Sequence, residues 1–461
     1  MEDTEEFLET ILRQDFSSFI GKVFSTINPG AKYHANWHID LLAEYLEGVR
    51  LGQIKPLIIN MPPRALKSVC VSVAWPAWLL SLNPGTRIMV ASYSSILSIK
   101  HSMDTRLVVS SSWYKKLFPK TKLSKSHNQK SKFLTTKNGF RFATSVGGSA
   151  TGEGGDFLII DDPHNPTQIN SLKMRNKVIE WFEQTFITRL NDKKNGAIVL
   201  VMQRLHQEDL SAHLQSSRGW EILKIPALAS ENIKYNFGKF HKIYKEGEIL
   251  DNIRDTREFL ENLEREIGSR NYTAQFLQEP LPANYHLLSP HNIHYFENLP
   301  DRFDFFVHRW DTAIKTSETS DYTVGTVWGI IQNKYYLVQM IRKKLIYSDL
   351  KNEIHKQIHK YKPRFVLIED KASGQSLIQD LKISGFNNIK AIKPSLDKIT
   401  RFASVTHLFE SGIVLLPAKA AFSRVIPSEI TNFPNGKHDD IVDSISQFLN
   451  FIKQQNGNNL A

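Results

Sequence analysis

Four runs in the first half of the chain are short, apolar and rich in β-branched residues: PLIINM, RIMVASY, FLIIDD and AIVLVMQ. Unbroken rather than alternating hydrophobicity is the pattern of strands in a parallel sheet that helices cover on both faces. Segments with helical periodicity separate the runs across residues 57–230, which predicts a doubly wound α/β domain. Residues 231–300 break the pattern. They are rich in Lys, Glu and Asn, carry Pro280, Pro282, Pro290 and Pro300, and predict a connector with one helix near 256–267.

From residue 301 a second α/β unit is expected. DFFVHRWDTA, TVGTVWGII and YYLVQMIRKK follow one another closely, with a hairpin turn at Gln332-Asn333-Lys334. A helix from Ser348 places Leu350, Ile354, Ile358 and Tyr361 on one stripe. The strand RFVLIED, a helix near 374–383 and the strand IKAIKP come next. Three meandering strands followed by alternating helix and strand is the order of an RNase H-like fold. The expected division is therefore 1–230, 231–300 and 301–461.

Composition narrows the class. A chain of 461 residues is long enough for two or three domains with their own cores. No apolar run would span a bilayer, and the acidic, amphipathic N-terminus MEDTEEFLETILRQDF is unlike a signal peptide. One cysteine, Cys70, excludes an internal disulfide framework and fits a reducing cytosol. The net charge of +11 favours a polyanionic partner.

Candidate chemistry begins with three acidic clusters: Asp311 in HRWDTA, Glu369-Asp370 in VLIEDKASG, and Asp439, Asp440 and Asp443 in NGKHDDIVDSI. The first two end strand-like runs and the third opens a helix. Alternation along FFVHRWDT puts Arg309 and Asp311 on one face with Phe305 and Val307. Asp440 and Asp443, three residues apart, share a flank of their helix, whose apolar stripe is Ile441, Ile445, Phe448 and Ile452. Singly, each cluster has a structural explanation: Asp439 as a helix cap, Asp311 as a turn residue, Glu369 paired with Lys371. Jointly they fall at the strand, strand and helix positions that an RNase H-like sheet brings together. Gathered carboxylates are costly to leave unpaired. Hard divalent cations, Mg²⁺ or Mn²⁺, would resolve that cost and would supply metal-assisted phosphodiester hydrolysis. His438 is a candidate ligand or proton carrier, or else a surface histidine.

A second constellation lies earlier. The strand LIIN runs into MPPRALKS and then the helical VCVSVAWPAWLL. Lys67 and Ser68 stand where a phosphate-binding loop keeps its lysine and its magnesium-binding hydroxyl. The loop's usual glycines are replaced by Met61 and Leu66. FLIIDDP has the form of a Walker B strand, with Asp161 toward Mg²⁺ and Asp162 toward the attacking water. Gln203 and Arg204, ending the neighbouring strand, are positioned to sense a γ-phosphate. Arg64, Arg175 and Arg189 are candidate arginine fingers.

Together these strings resemble the large terminase subunit of tailed bacteriophages and prophages over nearly the whole chain. MPPRALKS, NPGTRIMVASYS, SATGEGGDFLIIDDPHNP, TRL and QRLHQEDL resemble its ATPase half, and QFLQEP its connector. RWDTA, YTVGTVWG, VLIEDKASGQSL, KPSLDKITR, FESGIVLLP and FPNGKHDDIVDS resemble its nuclease half. The resemblance implies an α/β protein with a P-loop (ASCE-type) ATPase domain followed by an RNase H-like nuclease domain. It implies ATP and Mg²⁺ (or Mn²⁺) as cofactors. It implies double-stranded DNA, a small terminase subunit and the portal protein as partners, no membrane, and a ring formed only on the portal in the bacterial host cytoplasm. By motif, Arg64, Lys67 and Ser68 would contact phosphates, Asp161 and Ser68 would hold magnesium, Asp162 would direct hydrolysis, and Gln203 would couple to it. Asn36 and His38 in YHANWHIDLL would lie toward adenine. Asp311, Glu369 and Asp440 or Asp443 would bind the nuclease metals.

Three departures carry expectations. Leu66 has a Cβ and is expected to resist the left-handed backbone that glycine adopts freely. Asp162 is one methylene shorter than the usual glutamate, and Gln203 replaces a small hydroxyl residue. The competing functions are an RNase H-like nuclease with an inactive ATPase domain, in defence or recombination, and a basic DNA-binding assembly factor whose carboxylates are only structural.

Overall fold

The computed structural model describes residues 2–148, 152–281, 287–312, 322–370, 372–393, 396–420, 422–423, 425–436 and 438–458. Parts of the predicted motifs, among them Lys371, Pro394, Ser395 and Lys437, lie outside the described residues. The chain divides into two units, Met1–Asn262 with Arg270–Pro282, and Leu263–Ser269 with Ala283–Ala461.

The first unit is built on an eight-stranded sheet of order β3-β4-β5-β2-β6-β7-β1-β8. Its strands are β1 (Pro56–Asn60), β2 (Arg87–Ser92), β3 (Leu123–Asn128), β4 (Lys132–Thr135), β5 (Phe140–Ser145), β6 (Phe157–Asp161), β7 (Ala197–Met202) and β8 (Glu221–Lys224). The four predicted runs are β1, β2, β6 and β7, and they pair in parallel. Alternate residues of one strand enter opposite cores. Leu57, Ile59, Ile88, Val90, Val199 and Val201 join one cluster, while Ile58, Met89, Ala91, Leu158, Ile198 and Leu200 join the other. That two-sided burial is why the runs are apolar at every position.

Sequence patterning passes over β3, β4 and β5. LSKSHN and KFLT are short and polar because β3 and β4 extend the sheet antiparallel to its edge, where one face and one side meet water. It also passes over a hairpin inside the predicted connector. β9 (Ile233–Phe237) pairs antiparallel with β10 (Phe240–Tyr244), turning at Gly238 with φ +58°. Tyr235 and Tyr244 enter the core of the first unit and pack on Trp37 with ring centroids 5.5 and 5.0 Å away.

Four imidazoles of this unit, His38, His101, His164 and His206, are buried, and burial pushes the pKa of each down to about 4. Two of them must be neutral to make their bonds: His164 Nε2 accepts from the Leu210 amide and His206 Nδ1 from the Glu208 amide. The unfolded chain takes up protons at these groups near pH 6.5 while the folded unit does not. Stability is therefore present in full above about pH 6.5 and is lost as pH falls toward 4. Asp161 and Asp162, raised by burial, act in the opposite sense. They therefore reduce the slope that the four imidazoles set. Urea unfolding of this unit should show a midpoint that drops steadily between pH 7 and pH 5. A constant midpoint would mean that the imidazoles are hydrated.

The second unit holds a seven-stranded sheet of order β11-β17-β14-β13-β12-β15-β16. These strands are β11 (His294–Phe296), β12 (Phe305–Asp311), β13 (Thr323–Ile331), β14 (Lys334–Lys343), β15 (Phe365–Glu369), β16 (Ile389–Ile392) and β17 (Val414–Pro417). β12, β13 and β14 form the antiparallel meander. Ile331 pairs with Lys334, and Gln332 (φ +47°) and Asn333 (φ +61°) make the two-residue turn, both with the positive φ of a type I′ hairpin. β15 lies parallel to β12 with Trp310 opposite Ile368, so Asp311 and Glu369 follow at neighbouring strand ends. The helix Asp440–Asn458 covers the sheet through Ile441, Ile445, Phe448 and Ile452, with Phe448 stacked 4.4 Å from Trp328.

Candidate nucleotide and nuclease sites

In the first unit, β1 delivers the chain into the loop 61–68, and the residues after Ser68 wind as a π-helix, Val69–Ala74, before the α-helix Trp75–Leu82. Arg64 (φ +64°) and Leu66 (φ +60°) both occupy the left-handed region. The expected resistance of Leu66 is thus overcome. Its side chain packs against the core, and the Arg64 carbonyl accepts a 2.8 Å bond from Arg254 Nη1. Side-chain packing and a carbonyl clamp hold open a backbone shape that glycine would adopt unaided, at a cost of roughly 1–2 kcal/mol per such residue.

A direct check is the order of two truncations. Leu66→Ala and Leu66→Gly remove nearly the same packing, but only glycine relieves the left-handed strain. The glycine variant should be the more stable by about 1 kcal/mol in chemical denaturation. Alanine the more stable, as in an ordinary helix, would show that the loop is not left-handed at this position.

Around this loop the predicted residues converge. Lys67 Nζ lies 3.1 Å from Asp162 Oδ2 and donates to Gln203 Oε1 at 3.4 Å. Ser68 Oγ donates to Asp161 Oδ1 at 3.0 Å. Asp162, at φ +44°, turns out of β6, and its Oδ1 accepts from the Gln203 amide at 3.1 Å. Burial raises the pKa of both aspartates, against the opposing pull of Lys67. A lysine, a hydroxyl and two carboxylates at adjacent strand ends fit Mg²⁺ with a nucleotide triphosphate, since both the anion and the hard cation find their donors.

Sequence reasoning missed the layer behind. Ser72 Oγ donates to Asp161 Oδ2 at 2.7 Å, and His101 Nδ1 lies 3.4 Å from the same oxygen. Arg141, fully buried on β5, donates to the carbonyls of Ser98 and Ser72, both at 3.4 Å. Burial pushes its pKa down to about 9, and Asp161 opposes that shift. Ser72 lies four residues beyond Ser68, a helical spacing visible in sequence. Arg141 sits on a strand whose polar flanks hid it.

Other candidates are engaged elsewhere. Arg204 Nε donates to both oxygens of Asp209, at 3.1 and 3.0 Å, and so braces the chain after β7. Arg175 Nη2 pairs with Glu208 at 2.8 Å, whereas Arg189 donates to the Thr188 hydroxyl and the Arg64 side chain is exposed. Asn36 Nδ2 donates to the Leu250 carbonyl at 2.8 Å, and His38 is buried beside Ala65. His38 thus lies against the nucleotide loop, while Asn36 is tied to the segment at Leu250.

In the second unit the acidic clusters meet basic side chains. Arg309, fully buried on β12, has Asp311, Glu369 and Asp443 as its electrostatic neighbours. Its Nη2 donates to Glu369 Oε2 at 3.3 Å and to Gln447 Oε1, while Gln447 Nε2 donates to Glu369 Oε2 at 3.1 Å. Gly374 lies so close to the Glu369 carbonyl that a Cβ would collide with it, which explains the small residues of EDKASG. Asp443 is buried and pairs with Arg401 and, at 3.0 Å, with Lys398 Nζ. Burial opposes the charge of Lys398, but its bonds to Asp439 and Asp443 outweigh that and raise its pKa.

Asp440 faces a different way. Arg342 Nη2 lies 3.5 Å from it and Nη1 3.6 Å from the buried Glu429, which itself accepts from the Ile441 amide at 2.7 Å. Helical spacing put Asp440 and Asp443 on one flank, but the structure gives them separate partners. Among the described residues, no group of three His, Cys, Asp or Glu is drawn together at metal-binding distances. The donors are nonetheless hard oxygens, and Arg309 keeps two unbonded nitrogens, Nε and Nη1, buried among them. A carboxylate set balanced by the buried Arg309 and Arg401 and the exposed Lys398 fits Mg²⁺ or Mn²⁺, for which Lys398 and Arg401 would have to give way.

Residues 309–451 match the Terminase RNaseH-like domain family. The match falls within the second unit. The fold of the whole chain is likewise that of a large terminase. It is similar to the large terminase of the thermophilic bacteriophage D6E, with TM-score 0.55, 12% identity, and 91% of this chain and 99% of that one covered. The same D6E protein in complex with ATP-gamma-S matches with TM-score 0.53 at 12% identity over 89% and 98% of the two chains. Its complex with ADP matches with TM-score 0.52 at 13% identity over the same shares. No curated protein matches the chain by sequence. The terminase fold therefore persists where little of the sequence does. Among the described residues, no helix is long and apolar enough to cross a membrane.

Proposed function

We propose that the chain is the large subunit of a phage or prophage terminase, which hydrolyses ATP to drive double-stranded viral DNA into procapsids and cuts the concatemer with a metal-dependent endonuclease. The observation that carries this reading is the convergence of Lys67, Ser68, Asp161 and Asp162 in a chain that also holds a terminase nuclease domain.

In the motor, Lys67 would exchange Asp162 and Gln203 for the phosphates, with Arg64 reaching the same anion from the loop. Ser68 and Asp161 would hold Mg²⁺. Asp162, freed of Lys67, would orient the attacking water, and Gln203 would sense the γ-phosphate through the hydrogen bond its backbone N–H donates to Asp162. His38 would fix the loop's inner side. In the nuclease, Asp311, Glu369 and Asp443 would hold the metal, with Asp440 at the rim. Bound Mg²⁺ or Mn²⁺ would lower the pKa of a water and stabilise the leaving 3′ oxygen. Arg309 and Gln447 fix the Glu369 carboxylate. The small terminase subunit and the portal are the protein partners, the ring forms on the portal, and the setting is the bacterial host cytoplasm.

The test is ATP hydrolysis by the purified full chain with and without double-stranded DNA, alongside plasmid cleavage in Mg²⁺. DNA-stimulated turnover together with cleavage is the expected result. Cleavage without turnover under any condition would leave a nuclease with an inactive ATPase domain. Neither activity would leave an assembly factor.

A further inference from the structure

Between Asp104 and Glu153 the sequence has no acidic residue and ten basic ones, Arg106, Arg141 and eight lysines. This one stretch supplies +10 of the chain's net +11. Arg141 is buried, so it belongs to the layer behind Asp161. The lysines are another matter. Lys115, Lys116, Lys120, Lys122, Lys125, Lys130 and Lys137 are all exposed. Lys116 pairs with Glu9, and the half-buried Lys132 with Glu153. The other six exposed lysines make no ion pair among the described residues.

The fold gathers them on the outer edge of the first unit's sheet. Lys115 ends the helix Ser112–Leu117, and Lys120 and Lys122 lie on the turn into β3. Lys125 is on β3, Lys130 lies in the β3–β4 turn and Lys137 in the β4–β5 turn. The Thr136 amide bonds to the Lys122 carbonyl, which sets Lys137 beside Lys122. Lys115 and Lys122 line a groove of about 500 Å³ with Ser110, Pro119 and Asn128. Arg106 Nη1 donates to the carbonyl and side chain of Asn128, both at 3.1 Å, and so ties β3 to the helix Ser95–Ser110.

We infer that this edge is a binding surface for the phosphate backbone of double-stranded DNA. Lysines on an edge strand also deter pairing with other chains, but that use needs charge on the strand itself. Lys115, Lys120 and Lys137 lie off it. Uncompensated like charges repel one another, and a surface on which six exposed lysines outnumber the two carboxylates, Glu9 and Glu153, each already paired, is matched by a polyanion of regular charge. The six residues of β3 span about 20 Å at ~3.3 Å per residue. DNA presents a phosphate every ~3.4 Å along each strand, so several fall within that length. The exposed charge here is carried by lysines, and Arg106 is engaged by Asn128, so binding rests on point charges to phosphate and is independent of sequence. The choice of DNA as the polyanion rests on the packaging reading; the surface itself does not.

The experiment uses the full chain in EDTA, with a fluorescent duplex of arbitrary sequence and a series of salt concentrations. Wild type is compared with Lys115→Gln/Lys122→Gln/Lys137→Gln. The control is Lys234→Gln/Lys239→Gln/Lys245→Gln, an equal charge change on and beside the β9–β10 hairpin of the same unit. The first triple variant should lose about 2.7 from the slope of log K against log salt, and about 10²-fold in affinity at ~0.1 M salt, while the control stays near wild type. Equal losses in both would mean that only net charge matters and would overturn the surface. No loss in the first would place DNA elsewhere and leave an acidic protein face as the partner of this edge. Absence of duplex binding by wild type would also overturn it. Basal ATP turnover without DNA, measured on the same protein preparations in Mg²⁺ without EDTA, fails separately if the motor reading is at fault.

Discussion

Lys67→Ala is expected to abolish ATP turnover while leaving metal-dependent DNA cleavage close to wild type. Among the described residues Lys67 is the basic side chain that pairs with Asp162, and it lies within reach of Gln203 as well. In the nucleotide complex it is the fixed positive charge on the transferring phosphoryl group. A preorganised donor of this kind, in a site shielded from water, is worth about 3–4 kcal/mol in the transition state, so turnover should fall at least ~10²-fold. The substitution also leaves Asp162 facing Asp161 without its cation, so the melting transition of the first unit must be followed in parallel. Cleavage reports on the second unit, whose core is separate. Loss of both activities in a protein that melts normally would show that the division of labour between the units is wrong. Unchanged turnover would remove the loop from the reaction.

The second large effect separates two neighbouring aspartates. Asp443→Asn should reduce metal-dependent cleavage at least ~10²-fold, whereas Asp440→Asn should lose roughly tenfold or less. Asp443 is buried and shares Arg309 as an electrostatic neighbour with Asp311 and Glu369. Asp440, at the helix start, instead meets Arg342 opposite Glu429. Calorimetric titration with Mn²⁺ gives a readout apart from activity: affinity should fall in Asp443→Asn and hold in Asp440→Asn. The opposite ranking would make Asp440 the ligand and leave Asp443 as the anchor of Lys398 and Arg401.

Much of this was visible without coordinates, and the reason lies in what each pattern records. β1, β2, β6 and β7 announce themselves because both faces of each are buried, so composition alone marks them. The hairpin at Gln332-Asn333 and the helix after Asp439 were legible because turn and cap chemistry is local. β3 and β4 were not, because edge strands face water and share the composition of loops. The β9–β10 hairpin escaped for a related reason: only Tyr235 and Tyr244 of its residues are deeply buried, and their core is distant in sequence.

The sequence by itself determined the two α/β units, the loop that carries Lys67 and Ser68, and the acidic clusters at Asp311, Glu369 and Asp440–Asp443. These follow from periodicity and from residue type at short spacing. Only the tertiary structure decided that Leu66 is held left-handed by its packing, that Arg204 belongs to Asp209, and that Arg141 and Arg309 stand behind the carboxylates. It also decided that Asp443 rather than Asp440 faces Arg309. Each of these depends on which charge lies opposite which, and in a folded chain that is set by strand register and helix rotation across separations of many residues, which local pattern does not encode.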